Sequence, residues 1–202
     1  MNAGRLLIVF TRNPVQGEVK TRLAGAIGAP KALEVYERLR AHTASVAGKV
    51  DVHRRASYSD SIPSLDIFTK SDFSAVLQEG YDLGERMLNA FRQGFRDGYN
   101  QIVLTGTDCF EITPLILEEA FTALEGSDAV VGPARDGGFY LIGMKKVLPE
   151  LFLKRTWSTP EVLAETIRIL GTLQATYELL DELADIDTFD DLKASALWPL
   201  PS

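Results

Sequence analysis

Asp108 stands at the end of QIVLTGTD, where an apolar run gives way to three small residues and then a carboxylate. Ile102, Val103 and Leu104 read as a buried strand. Thr105-Gly106-Thr107 breaks it and delivers Asp108 just past its end, and Thr113-Pro114 then reads as a capped helix start. In an open α/β sheet, ligands bind beyond the carboxyl ends of the strands. A carboxylate there suits a divalent metal that bridges phosphate oxygens, because hard dications take oxygen ligands. It would equally suit a loop cap or an ion-pair partner.

The loop Arg12–Arg22, RNPVQGEVKTR, follows the apolar run RLLIVFT and so belongs to the same sheet edge. It holds three cations, Arg12, Lys20 and Arg22, and Gly17, where backbone can approach a ligand. That set suits a polyphosphate, with Lys20 as a point charge and Arg22 as a bidentate clamp. A solvated basic loop has the same composition. In a chain of net charge -7, however, a local cluster of cations is more telling than in a basic protein. The loop lacks the Gly-x4-Gly-Lys-Ser/Thr pattern, which argues against an ordinary P-loop nucleotidase.

Three further stretches carry polar chemistry. In QEGYDLGER, Gln78, Gly80 and nearby backbone N–H groups are placed to meet a base or phosphate, or only to turn the chain into a helix. Gly106, in the turn before Asp108, joins this nucleotide-contacting set. In GPARDGGFYLIG, Asp136-Gly137-Gly138 reads as a hairpin turn, or as a carboxylate and glycine backbone facing an acceptor. In DIDT, Asp185 and Asp187 fall on one side of an extended segment. There Asp187 is either a second metal ligand or part of the charge at a helix start capped by Thr188. The only histidines, His42 and His53, read as lying on a helix face and a weak strand, so Asp136 and Asp187 are the candidate bases.

These residues need strands that end at a common edge. Strands are expected over Arg5–Thr11, around Ile102–Leu104, and over Asp128–Gly132, Phe139–Met144 and Tyr177–Leu180. A weaker one is expected within Val50–Tyr58, and a short one at Leu65–Phe68. Helices are expected from Pro30 to about Ala47, Asp82 to Gly94, Pro114 to about Leu124, and from Ser158-Thr159-Pro160-Glu161 to about Leu170. A short last helix starts at Thr188. Strands alternating with helices predict an α/β fold, with a mainly parallel sheet and helices on both faces, formed by 1–202 as one domain.

Composition sets limits. Hydrophobic residues make up 46% and charged residues 24% of the 202, ordinary for a globular protein. The acidic balance argues against a nucleic-acid binder. The single cysteine, Cys109, excludes an internal disulfide and a cysteine-rich metal site. A cytoplasmic location is expected, since no membrane-length apolar run or signal peptide is visible.

Taken in order, F-x-R-x-P-x2-G-x2-K-T-R-L, Q-x-G-x-D-L-G-x-R-M, G-T-D-C, G-P-A-x-D-G-G-F-Y-L-I-G, W-S-T and D-I-D-T resemble a family. It comprises the bacterial glycosyltransferase-A-like proteins of the radical-SAM/selenodomain-associated transferase type, within the nucleotide-diphospho-sugar transferase superfamily. The resemblance spans nearly the whole chain. It implies a Rossmann-like GT-A fold, a nucleotide near Arg12, Lys20 and Arg22, and Mg²⁺ or Mn²⁺ on Asp108. Phe110 stands where that family usually has proline, a change expected to fall on the acceptor side. The function so implied is metal-dependent glycosyl transfer from a nucleotide sugar to an acceptor. Nucleotidyl transfer from an NTP to a phosphorylated acceptor, with release of pyrophosphate, is the alternative. A non-catalytic nucleotide-binding or partner protein is the third reading.

Overall fold

The computed structural model describes residues 4–200. In chain order its elements are β1 (Arg5–Thr11), α1 (Thr21–Ile27), α2 (Ala29–Ala47), β2 (His53–Tyr58), β3 (Ser74–Leu77), α3 (Leu83–Arg96) and β4 (Gln101–Thr105). There follow α4 (Pro114–Gly126), β5 (Ala129–Pro133), β6 (Phe139–Met144), α5 (Val162–Thr172), β7 (Tyr177–Leu179) and α6 (Phe189–Ala194). The strands form one seven-stranded sheet in the order β3-β2-β1-β4-β6-β5-β7. Only β6 runs antiparallel to its neighbours, because the Asp136-Gly137-Gly138 turn folds it back on β5 as a hairpin. The expected mainly parallel α/β sheet is therefore present.

β1 shows why helices cover both faces. After Arg5 it is buried along its whole length, as a nearly all-apolar central strand must be. Successive side chains leave opposite faces of a strand. Leu7 and Val9 join a core with Ala44 and Val46 of α2 and with Leu117 and Phe121 of α4. Leu6, Ile8 and Phe10 join another with Met87 and Phe91 of α3 and with Leu170 of α5. A third, smaller core packs α1 and α2 on α6 through Leu23, Val35, Leu39 and Leu192, with Ile186 beneath. No helix among the described residues is long and apolar enough to cross a membrane.

The sequence expectation does not include α1, and it departs from the structure at three further places. Leu65–Phe68 is not a strand. The Asp66 carboxylate accepts the N–H groups of Phe68 (3.0 Å) and Thr69 (3.2 Å), and such side-chain bonds compete with a sheet ladder. The edge strand is instead β3, whose four residues are at best half buried and so carry little apolar signal. Ser158–Glu161 does not cap α5, which starts at Val162 without a side-chain cap. Leu163 N–H instead donates to Gly137 O at 2.9 Å, so the first turn of α5 docks on the β5–β6 hairpin. Thr113 and Thr188 do cap their helices, the latter through the expected box with Asp191.

Candidate functional site

A cleft of about 690 Å³ opens where β1 and β4 end. Arg12, Lys20, Arg22, Gln78, Gly106, Asp108, Asp136, Asp185 and Asp187 all line it. Gly17 and Gly80 do not. Gly17 is exposed in its own turn at φ +87°. Gly80 lies against the start of α3, where a Cβ would meet Arg86 N at 2.8 Å. Both glycines shape their loops, and the nucleotide contacts expected of them fall outside this lining.

Asp108 and Asp187 are far apart in the chain but share one backbone junction. Ile186 N–H donates to Asp108 O at 3.0 Å, and Cys109 and Asp185 form an antiparallel bridge. Ile186 itself is buried, so the segment is anchored from below. The two carboxylates meet at Lys20. Its Nζ lies 2.7 Å from Asp108 Oδ1 and 2.8 Å from Asp187 Oδ1. The Lys20 side chain is 4% exposed, whereas the two carboxylates are 45% and 43% exposed. Lys20 is the N-cap of α1 in the left-handed region, φ 48° and ψ 45°, and this bend turns the chain out of the loop into the helix. Burial alone would lower the Lys20 pKa, but the charges of Asp108 and Asp187 outweigh it and the net shift is upward. Asp185 is shifted upward as well. Burial first, then the charge of Asp108, pushes its carboxyl up to about 7.

The two carboxylates suit a hard dication: they are half open to the cleft, offer oxygen only, and already converge on one cation. Among the described residues, those of this cleft included, no group of three or more His, Cys, Asp and Glu side chains is arranged to hold a metal ion, so the pair would be the protein's whole contribution. Cys109 is buried, and burial followed by the charge of Asp185 pushes its thiol up to about 12, so it stays protonated.

The cations flank this centre. Arg12 is exposed, and its backbone is gripped by Tyr36, whose hydroxyl accepts Arg12 N–H at 2.8 Å and donates to Arg12 O at 3.2 Å. Gln78 donates from Nε2 to Ser57 O at 2.9 Å, and Arg86 donates from Nε to Gly80 O at 3.1 Å. Tyr36 and Arg86 line the cleft, and sequence reasoning passed over both. Tyr36 resembles any apolar position of an amphipathic helix, and Arg86 any surface arginine.

The opposite wall is made by the hairpin and the 157–162 segment. Gly137 has φ +87°, and a Cβ there would come within 2.1 Å of Pro160 O, so only glycine lets the two pieces close together. Asp136 is exposed, with Oδ1 accepting Gly138 N–H at 2.8 Å. Phe139 and Trp157 pack edge to face with centroids 6.3 Å apart, and Tyr81 is 99% exposed at the rim. Ser158 is held at φ +62°, a conformation no sequence pattern announced. Neither histidine faces the cleft. His42 Nε2 lies 2.9 Å from Ile112 O, and its ring lies tilted against Phe110 with centroids 4.4 Å apart. Phe110 packs against the third core and lies outside the cleft lining, so the acceptor side expected of it is not among the lining residues.

A model of the bacterial family described as "Uncharacterized protein conserved in bacteria (DUF2064)" matches residues 39–159. No curated protein matches the chain. Among solved structures, one from Desulfovibrio desulfuricans G20, for which the name nucleotide-diphospho-sugar transferase has been proposed, is 28% identical. The match covers 96% of this chain and 90% of that one, with a TM-score of 0.86. Rv0371c from Mycobacterium tuberculosis H37Rv, in complex with manganese, is 13% identical over 95% of this chain and 97% of that one, with a TM-score of 0.59. The inositol-1-phosphate CTP transferase from T. maritima is 15% identical over 95% and 92%, with a TM-score of 0.55. At those identities the last two share the fold alone.

Proposed function

The chain belongs to the bacterial protein family DUF2064, and we propose that it transfers a glycosyl group from a nucleotide sugar with the help of Mg²⁺ or Mn²⁺. The observation that carries this reading is the convergence of Asp108 and Asp187 in a cleft also lined by Lys20, Arg12 and Arg22. Carboxylates and cations side by side suit a metal-bound diphosphate, which presents a dication to the first and phosphate oxygens to the second. The fold shared with a proposed nucleotide-diphospho-sugar transferase and with a CTP transferase supports a nucleotide in this place. The manganese complex of Rv0371c supports the metal.

In this reading Asp108 and Asp187 hold the metal. Bound there, it supplies Lewis-acid stabilisation of the charge that develops on the departing diphosphate. Lys20 and Arg22 neutralise the same diphosphate, and Arg12, held by Tyr36, extends the cationic rim. Asp136, on the far wall, is the base that accepts the proton of the acceptor hydroxyl. Asp187, considered as a base from sequence, is better used as a ligand, because its Oδ1 is already turned toward Lys20 and Asp108.

Nucleotidyl transfer to a phosphorylated acceptor is the second reading, and the far wall weighs against it. The lining cations Arg12, Lys20, Arg22 and Arg86 come from the loop after β1 and from α3. Phe139, Trp157, Ser158, Thr159 and Asp136 bring rings, hydroxyls and one carboxylate, but no cation. A phosphate seated there would lack the charged donors it normally finds, whereas a neutral polyhydroxylated acceptor would find both stacking surface and hydrogen bonds.

The test is a thermal-shift panel of nucleotide sugars and nucleoside triphosphates with and without Mn²⁺, since a ligand of the native state raises its melting temperature by mass action. A Mn²⁺-dependent shift with a nucleotide sugar, followed by release of nucleoside diphosphate, is expected. Pyrophosphate release would select the second reading, and the absence of any shift would overturn both. Within the same panel, Lys20→Ala should weaken nucleotide binding by roughly 1.5–3 kcal/mol, the scale of a charge-assisted hydrogen bond. An unchanged dissociation constant at low salt would remove Lys20 from the phosphate site.

A further inference from the structure

Lys20 occupies the place the metal is to take. We propose that its ammonium is the resident cation of the Asp108–Asp187 pair and competes with divalent metal for it, so that metal alone binds weakly and binds well only when phosphate draws the ammonium away. The inference rests on the metal reading above. Its ground is geometric. One nitrogen contacts Oδ1 of both carboxylates, at 2.7 and 2.8 Å, and it is almost fully buried beneath carboxylates that stay half open. A Mg²⁺ ion binds its oxygens at about 2.0–2.1 Å. It could not share those two oxygens with an ammonium in van der Waals contact without strong like-charge repulsion in a partly desolvated place.

Lys20 is also built to move while its backbone stays put. Its main chain is pinned as the N-cap of α1, with its carbonyl accepting Ala24 N–H at 2.8 Å. The four-carbon stem beyond that point is flexible, with a compact charge at its tip. Exposed Arg12 and Arg22 line the same cleft and mark where phosphates would collect. An ammonium leaving the carboxylates therefore has a new anionic partner as soon as a polyphosphate arrives. By linkage, whatever phosphate does for metal affinity, metal does for phosphate affinity by the same factor.

The test measures Mn²⁺ binding alone, without nucleotide, by the electron paramagnetic resonance of free Mn²⁺. The full chain is compared with Lys20→Met, Lys20→Gln and Asp108→Asn. Lys20→Gln keeps a hydrogen-bonding head in case the apolar variant folds poorly. Both Lys20 variants should bind Mn²⁺ tighter than wild type by roughly tenfold or more, the ordinary range of such couplings, and Asp108→Asn should lose the site. Equal affinity in wild type and the Lys20 variants, with binding lost in Asp108→Asn, would overturn the proposal and keep the metal reading. That is the result expected if metal used other carboxylate oxygens with Lys20 in place. No binding by any of the four proteins would overturn the proposal, because removing Lys20 would then free no metal site, and would leave the metal reading to the nucleotide panel above.

Discussion

Asp108→Asn is expected to abolish the metal dependence of nucleotide binding while shifting the melting temperature by only a few degrees. Asparagine keeps the shape of the side chain and one oxygen for Lys20, but removes the charge that makes the pair a dication site. Asp108 is 45% exposed, so its own charge is well solvated, although the Lys20 ammonium it meets is almost fully buried. Lys20 also retains Asp187 at 2.8 Å. The structural cost is therefore small and the functional cost close to total, because two carboxylates are the protein's whole contribution to the metal in this reading. Nucleotide titrations with and without Mn²⁺ decide it, alongside a thermal melt of the unliganded variant. A variant that still binds nucleotide in a metal-dependent way shows that Asp108 is not the ligand. A variant that unfolds shows that Asp108 serves the fold.

Asp66→Ala is expected to lower the unfolding free energy by roughly 3–5 kcal/mol, the cost of leaving a buried charge without its partner. That is a large part of the 5–15 kcal/mol by which an ordinary domain is stable. Arg40 and Asp66 form a salt bridge in which their side chains are only 4% and 9% exposed. Asp66 also accepts the Tyr58 hydroxyl at 2.8 Å, and Arg40 Nε donates to Thr11 Oγ1 at 3.0 Å. A guanidinium cannot discard its charge, so without Asp66 it stays buried and uncompensated. The pair also reaches the cleft, since Thr11 lines it and donates from Oγ1 to Arg12 O at 3.2 Å.

The same carboxylate makes the loss depend on pH. Burial raises the Asp66 pKa, but the Tyr58 hydroxyl, the Thr69 N–H and Arg40 together outweigh it, and the net shift is below the ordinary 3.8. A group depressed in the folded state contributes stability that is present above its unfolded pKa and is lost as pH falls through its folded one. Urea titrations of wild type and Asp66→Asn should therefore differ most at neutral pH and converge as pH falls below 3.8. A gap between the two that stays constant from pH 7 to pH 3 would show that Asp66 acts through shape and not through charge.

The sequence by itself determined the frame of this protein. A nearly all-apolar β1, a small-residue turn at the end of β4, and Thr-Pro at the head of α4 are local statements, and local chemistry enforces them whatever the rest of the chain does. They sufficed to bring the loop after β1 and the residue after β4 to one edge of a parallel sheet, so Arg12, Lys20, Arg22 and Asp108 were legible as neighbours. The Asp-Gly-Gly hairpin and the Thr188 capping box were legible for the same reason. What only the tertiary structure decided are contacts between segments remote in sequence. These include the ammonium of Lys20 beneath Asp187, 167 residues away, the grip of Tyr36 on the Arg12 backbone, and the docking of α5 on Gly137 in place of its own cap. The buried ion pair of Arg40 and Asp66 belongs with them, since an arginine in a helix and an aspartate in a turn look like surface residues until the chain closes over both. A charge reveals its partner only through distance in space, and residue order carries that distance only where an element of known geometry spans the gap.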